Sequence, residues 1–553
     1  MLSDCFNRLN SEDYTEFIFR DNYFSKKTLE EVSDYCVTYL NSKWSIISVR
    51  NDLVGDPVYG RFSYAVLPGI YGLSDLGAVS AAGVIKVWEQ PVLSLKGYGT
   101  CVAIIDSGIN WRHKAFLNAN NTTKIRALWD QDTNMVYDSV KINEALSTGA
   151  DDIPGDEIGH GTFMAGIACG SEDVNNLFSG VAPAAGLIVV KLRSAKRFLR
   201  NFYSVDENIP AYSEADIMRG LQFVSEYIES NRVPASIIIG VGTSLGTHYG
   251  YSPLSDMIRD ETGKTGRCIS VAAGNEGNER LHFKGVTEGI NPIGAELRIE
   301  PGLNGLTANI WSKAPVVYSL EIISPSGQIA GRFPVKNESQ RTFFVFENST
   351  VYVYSRRTES ISGANLITIR MRNPAGGIWK FNLYPNIKGH TEADIWVMNR
   401  GFLNENTYFI VSDPEDTIVN PGNLVEAITV TAYDYRDNTI YLKNSRGNNW
   451  YGLPKPDFAA PGVNMTGPSP IGTDNYEIRS GTSAAAAFYG GIAALLLEYG
   501  IVNNAIPYLR TPEIKTITIA GCVQKNNMEY PNKIWGYGMV NILNSLERLR
   551  EEL

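Results

Sequence analysis

The chain has 553 residues, well past the size at which a single hydrophobic core stops growing, so at least two domains and more readily three are expected. Its 44% hydrophobic and 20% charged residues, with 51 glycines and 25 prolines, exclude collagen-like, coiled-coil and disordered classes. A net charge of −10 without any basic run excludes a nucleic-acid backbone as the main partner, since such partners reward clustered Lys and Arg. The N-terminal stretch MLSDCFNRLNSEDYTEFIFRD is charged throughout and has no basic segment leading into an apolar one. No secretory signal peptide is read, and cytoplasmic synthesis is expected. No stretch offers the roughly 18 uninterrupted apolar residues of a membrane span. Cys5, Cys36, Cys101, Cys169, Cys268 and Cys522 are scattered without CxxC or CxxH spacing, so all six are expected as free thiols and no metal site is predicted.

In chain order, residues 1–75 combine a helical stretch (SKKTLEEVSDYCVTYLN) with strand-like runs (KWSIISVR, RFSYAVLPG) and suggest a small α+β unit. From about residue 84, strands alternate with helices: GTCVAIIDSG, the helix HGTFMAGIACG, GLIVVKL, the helix SEADIMRGLQFVSEYIESN, ASIIIGVGTS and RCISVAAGN. That rhythm predicts an α/β domain with a doubly wound parallel sheet, covering residues 76–282. Between 283 and 415 short alternating runs separated by Gly, Pro, Asn and Ser turns predict an all-β sandwich or jelly roll. The α/β pattern resumes over 416–553 with AITVTAYD, PDFAAPGV and the long apolar helix TSAAAAFYGGIAALLLEYG, so the β module is inserted within the α/β domain.

Four polar residues sit at strand ends or helix starts, where open α/β sheets gather functional groups. Asp106 ends the strand VAIID and is either a carboxylate for catalysis or a turn former. His160, between Gly159 and Gly161 at a helix start, is either a base or a buried histidine with satisfied hydrogen bonds. Ser483 opens the apolar helix, as an N-cap or as a nucleophile beside the free N–H groups of that helix. Asn275 follows a strand in SVAAGNEGN, as a turn residue or an oxyanion donor.

Together, in this order, the strings DSG, HGT, AAGNEG and GTSAA resemble the subtilase family of serine proteases, whose Asp, His, Ser chain order is established. The resemblance implies Ser483 as nucleophile, His160 as general base and acid, Asp106 as the group orienting the imidazole, and Asn275 as oxyanion donor. TSLGT resembles the family's substrate strand, so Ser244, Leu245 and Gly246 are expected to pair with an extended peptide substrate. With Ala273 and Gly274 they would wall the pocket for the residue before the scissile bond. Ser483 is followed by AAAAFYGG where many subtilases have Met-Ala-Ser-Pro, a departure that favours the helix.

The stretches VLPGIYGLSD and VSAAGVI near the N-terminus, and SPSGQI, NPAGGIW and SDPEDTIVNPG in and after the insertion, extend the likeness over nearly the whole chain, which resembles the Csp-type germination proteases of clostridial spore formers. That likeness implies an N-terminal prodomain acting as a folding chaperone and staying bound in cis after self-cleavage, an inserted jelly roll, incorporation into the spore, and a spore-cortex hydrolase precursor as substrate. Some members of that group are pseudoproteases serving in germinant signalling, which leaves a non-catalytic scaffold as the alternative; here all three triad positions are filled. Self-cleavage is expected within Leu73, Ser74, Asp75 and Leu76. No cofactor is assigned: calcium is common in subtilases, but SEDVNNLFSGVAP (171–183) matches a calcium loop too loosely to name ligands. Asp151, Asp152, Asp156 and Glu157 read as loop charges or helix-dipole partners. Trp311, Tyr352, Tyr354 and Trp379 read as core aromatics of the insertion in preference to a sugar platform.

Overall fold

The structure, a computed structural model, describes residues 8, 11–20, 35–54, 67, 70–71, 82–91, 93–173, 175–176, 178–334, 340–346, 348–359, 362–449 and 452–552. The expected cleavage region Leu73–Leu76 and Cys5 lie outside them. Near the N-terminus, β1 (Tyr14–Arg20), β2 (Tyr35–Tyr39) and β3 (Trp44–Arg50) form an antiparallel sheet in the order β1-β3-β2. Tyr35–Tyr39 is therefore a strand, where the sequence pattern predicted helix; aromatic and β-branched residues fit the pleat against β3 better than they fit a helix turn. Cys36 is disulfide-bonded, which corrects the expectation of six free thiols, whereas Cys101, Cys169, Cys268 and Cys522 are free. Side chains of this sheet alternate between two clusters: Ile18, Trp44 and Ile46 join one with Ile217 and Leu221, while Phe17, Phe19, Ile47 and Val49 join another with Leu199 and Phe202.

A short strand β4 (Ile70–Tyr71) pairs antiparallel with β9 (Tyr212–Ser213). The main sheet contains β5 (Cys101–Asp106), β6 (Ile125–Asp130), β7 (Met135–Asp138), β8 (Gly186–Lys191), β10 (Ala235–Ile239) and β11 (Arg267–Ala272), with Ile428–Asp434, Thr439–Ile440 and Phe458–Pro461. Its central order is β11-β10-β5-β8-β6, all parallel; β7 and Thr439–Ile440 run antiparallel at the ends. Every residue of β5, β8, β10 and β11 is buried, which is why these strands read as unbroken apolar runs.

Three helices matter for the site: α1 (His160–Cys169), α2 (Glu214–Asn231) and α3 (Thr482–Leu497). All sixteen residues of α3 are buried. Its small residues let neighbours come close: a Cβ on Gly490 would lie 2.3 Å from Ile238 of β10, and one on Gly491 would lie 2.5 Å from the Ala168 carbonyl of α1. By length and composition the stretch Thr482–Val502 would suit a membrane span, but 83% of its apolar 18-residue window is enclosed by the fold.

Between His282 and Phe409 the chain forms two antiparallel sheets. One runs in the order His282–Thr287, Thr391–Val397, Gly305–Ser312, Asn365–Arg372, Ser349–Arg356, Gln340–Phe346. The other runs Ile329–Phe333, Tyr318–Ile323, Gly377–Pro385, Ile293–Ile299, Tyr408–Phe409. They share one core, in which Leu306, Ile310, Ile369 and Met371 meet Leu297, Leu320, Trp379 and Phe381.

The N-terminal sheet is tied to the main sheet by buried charges. Arg193 pairs with Glu16 of β1 and, at 2.9 Å, with Asp216 of α2; Lys196 reaches Glu16 at 3.3 Å and Arg219 reaches Asp216 at 3.1 Å. Burial alone pushes the Glu16 carboxyl up, but Arg193, Lys196 and Arg219 outweigh it and hold it at about 2, against 4.5 for an ordinary glutamate. The folded-state value is the lower one, so this stabilisation is complete above the unfolded value near 4.5 and is lost as pH falls towards 2; it amounts to about 3 kcal/mol. Hydrogen exchange of the β1 amides should therefore show protection that weakens over that interval. Glu16→Gln should lower β1 protection at pH 7 by about 3–5 kcal/mol and flatten the acid dependence, and identical pH profiles in the two proteins would contradict the ionic tie.

Candidate active site

The sheet order sets β11, β10 and β5 side by side, so Asn275, Gly240 and Asp106 leave the same carboxyl edge on neighbouring strands. Helices α1 and α3, packed on that sheet and on each other, start at the same edge with His160 and Ser483. Asp106 is fully buried and its Oδ1 lies 2.7 Å from His160 Nδ1. A carboxylate there accepts the Nδ1 proton and leaves Nε2 as the basic nitrogen. The Ser107 N–H also donates to Asp106 Oδ1, at 2.7 Å, so the carboxylate cannot swing away.

The imidazole is held by a helix start that the sequence motifs only partly reveal. Asp156, 5% exposed, accepts from the N–H groups of Gly159 and Thr162 at 2.8 and 2.9 Å and from the Thr162 hydroxyl at 2.7 Å. It is the dipole partner of α1. Gly161 donates its N–H to Ser107 Oγ at 2.9 Å, and a Cβ at Gly161 would lie 2.3 Å from the Gly108 carbonyl, so only glycine lets the two loops meet. The pattern Asp-x-x-x-His and the serine of DSG were the available signals for Asp156 and Ser107.

Ser483 is the second residue of α3 and is fully buried. Its hydroxyl donates to the Gly240 carbonyl at 3.0 Å, and a Cβ at Gly240 would lie 3.2 Å from His160 Cε1, so serine, imidazole and this carbonyl are neighbours. The Ser483 N–H belongs to the first turn, where no intrahelical acceptor exists, and it is therefore a donor for an incoming oxygen. Across from it, Asn275 is locked to α3: its Oδ1 accepts from the Thr482 N–H at 3.1 Å, while the Gly274 N–H donates to Thr482 Oγ1 at 3.0 Å. With the carbonyl end of the amide occupied, Nδ2 is the end left to donate. Thr482, the residue before Ser483, is the one that orients Asn275. Glu276, beside it, is buried and accepts the Arg400 N–H at 3.1 Å; burial pushes its carboxyl up to about 7.

Ser244, Leu245 and Gly246, expected to pair with substrate, are not the residues beside His160 and Ser483. The segment beside His160 and Ser483 is Gly240–Gly242, directly after β10. Ser244, Leu245 and Gly246 lie farther along, and their backbone groups are occupied: the Ser244 N–H donates to Asn399 Oδ1 at 2.8 Å, the Gly246 N–H to Asn309 Oδ1 at 3.0 Å, and the Leu245 carbonyl accepts from Asn420 at 3.0 Å. The string SLG suggested the later position, but these groups are taken by the inserted β module and by the segment following it. Ala273 and Gly274, the other expected wall, immediately precede Asn275 in the chain.

The remaining residues singled out by sequence lie away from this constellation. In 171–183, Asp173 accepts from the Asn175 and Asn176 N–H groups, Asn176 Nδ2 and the Tyr476 hydroxyl, and among the described residues no group of three or more His, Cys, Asp or Glu is arranged to hold a metal ion. Asp151 pairs with Arg112 at 2.8 Å, Asp152 is exposed, and Glu157 pairs with Lys191 at 3.1 Å. Trp311, Trp379 and Tyr354 are buried, and Tyr352 lies beneath the guanidinium groups of Arg370 and Arg372.

Comparison with known proteins follows the same lines. The model of the subtilase family matches residues 97–371 and 403–538. Serine protease AprX of Bacillus subtilis (strain 168) is 36% identical over 149 residues, which cover 24% of this chain and 32% of that protein. The PI-type proteinase of Lactococcus lactis subsp. cremoris is 24% identical over 549 residues, 88% of this chain and 28% of that protein. The chain thus spans about a third or less of the length of these curated relatives. Among solved structures, the CspB protease of Clostridium perfringens superposes with a TM-score of 0.77 at 30% identity, over 85% of this chain and 97% of that one. By the extent of the family match and this structural likeness, the chain belongs to the subtilase family.

Proposed function

We propose that this protein is a serine endopeptidase whose nucleophile is Ser483, whose general base and acid is His160, whose orienting carboxylate is Asp106 and whose oxyanion donors are Asn275 Nδ2 and the Ser483 N–H. The observation that carries this is the buried 2.7 Å Asp106–His160 pair beside Gly240, whose carbonyl accepts from Ser483 at the start of α3. The serine hydroxyl turns from the Gly240 carbonyl to His160 Nε2, which takes its proton as Oγ attacks the scissile carbonyl. Negative charge moves onto the carbonyl oxygen and is met by the two N–H donors, while Asp106 stabilises the imidazolium. His160 then returns the proton to the leaving amine, and water repeats the sequence on the acyl-enzyme.

The same site would cut its own chain. Strand β4, two residues before the Leu73–Leu76 segment, pairs with β9, whose Tyr212 is close enough to Asp106 and Asp156 for their charges, together with the larger effect of burial, to raise its hydroxyl well above the usual range. The pairing of β4 with β9 supports cleavage in cis. The buried ionic tie from Glu16 supports an N-terminal unit, residues 1–75, that assists folding and stays bound afterwards. Residues 76–282 and 416–553 would form the catalytic domain and 283–415 a jelly roll. Likeness to the CspB protease over 85% of the chain supports a role in spores, with synthesis in the cytoplasm, incorporation into the spore and a cortex-hydrolase precursor as substrate.

Purified wild-type protein should separate into two fragments on denaturing gels, whereas Ser483→Ala should remain a single 61.0 kDa chain; an intact wild-type chain contradicts self-processing. A fluorophosphonate should label wild type and not Ser483→Ala, and a processed, folded protein without labelling would favour a signalling role. Asn275→Ala should lower kcat about 10²–10³-fold with little change in KM, measured on a peptide substrate.

A further inference from the structure

The two oxyanion donors fix where the scissile carbonyl lies, between Ser483 and Asn275. The family resemblance implies that the residue carrying this carbonyl places its side chain between the segment after β10 and AAGNEG, which in this fold is the gap between Gly240–Gly242 and Ala273–Asn275. That gap is already occupied by a side chain from the segment that follows the inserted β module. A Cβ at Gly242 would lie 2.5 Å from Val419 Cγ2, and a Cβ at Gly274 would lie 2.7 Å from Val419 Cγ1 and 2.9 Å from Cγ2. The Val419 isopropyl group therefore touches the backbone of both walls at once, and it is 3% exposed.

Its backbone prevents withdrawal. The Val419 N–H donates to the Ala273 carbonyl at 3.0 Å, and its own carbonyl accepts from the Gly422 N–H at 2.7 Å. The next residue, Asn420, exchanges two backbone bonds with Thr243, at 3.0 and 2.8 Å, immediately beyond the Gly242 wall. The segment is stitched to both walls, and the backbone that carries the valine cannot withdraw without breaking these bonds.

Resting on the proteolytic role above, we propose that Val419 closes the floor of the pocket for the residue before the scissile bond, so that this protein cuts after glycine, alanine or serine and rejects aromatic and long side chains. A close-packed valine has no room behind it for a ring, and overpacking is resisted by the dense surroundings. Of the four residues expected to contain the self-cleavage site, Ser74 alone is small, so the bond broken is Ser74–Asp75.

The test uses peptidyl diphenyl phosphonates that differ only in carrying an alanine-like or a phenylalanine-like side chain next to phosphorus. In these, Ser483 Oγ displaces a phenolate, and the serine proton leaves with it as phenol. Wild type should react with the alanine probe at least about tenfold faster than with the phenylalanine probe. The phenylalanine-to-alanine rate ratio should rise at least about tenfold in Val419→Gly and to a smaller extent in Val419→Ala. Because the ratio is taken within each protein, a reduced folded fraction does not alter it. Equal ratios in all three proteins, with Ser483 labelled, overturn the pocket assignment and leave the proteolytic role standing; no reaction with either probe in any of them overturns both. N-terminal sequencing of the processed wild-type chain should begin at Asp75, and a chain beginning at Ser74 or Gly77 overturns the pocket assignment.

Discussion

Everything at the site depends on how closely α3 can approach its neighbours. A helix that meets β10 through Gly490 and α1 through Gly491 lies nearer to both than larger side chains would permit. Its first turn is consequently set against the ends of β10 and β11 and against the start of α1. Ser483 reaches the Gly240 carbonyl, and Thr482 reaches both Gly274 and Asn275, because the axis of α3 is placed there by packing some two turns away. The run AAAAFYGG following the serine is part of this geometry: small residues trade side-chain volume for proximity, and full burial of the helix offsets the loss.

Around that core, the other two parts of the chain act on the site through polar contacts that are sheltered from water. The N-terminal sheet places Glu16 among Arg193, Lys196 and Arg219, a charge balance that only a complete set of partners makes tolerable. The β module supplies Asn309 and Asn399, which accept the N–H groups of Gly246 and Ser244, and the Arg400 N–H, which bonds Glu276 beside the oxyanion donor. Rigid walls are what a serine protease needs, since its donors must already face the developing charge.

Much of the main sheet was legible in the sequence because buried parallel strands show as continuous apolar runs: CVAIID, GLIVVK and ASIII are all wholly enclosed. β6 escaped notice because exposed Arg126 and the terminal Asp130 interrupt its pattern, and YCVTY was lost within a charged stretch of helical spacing. At the site, Asp106, His160, Asn275 and Ser483 stood out as polar residues at strand ends and helix starts. The positions of Gly240, Thr482 and Val419 could not be read locally, since their importance comes from partners 80 to 243 residues away that only the folded sheet order brings near. The string SLG drew attention to Ser244 for that reason: short strings carry likeness, whereas register along a wall is decided by what hydrogen-bonds to it.

The asparagine contacts from the β module carry a consequence for how such a protein can be rebuilt. Excising the insertion as a detachable cassette, or exchanging it for that of a relative, would leave the Ser244 and Gly246 amides without these acceptors, and for the buried Ser244 N–H that costs about 1–3 kcal/mol. A chimera would have to carry Asn309 and Asn399 along with its new scaffold, because these two side chains form the seam along which the graft must heal.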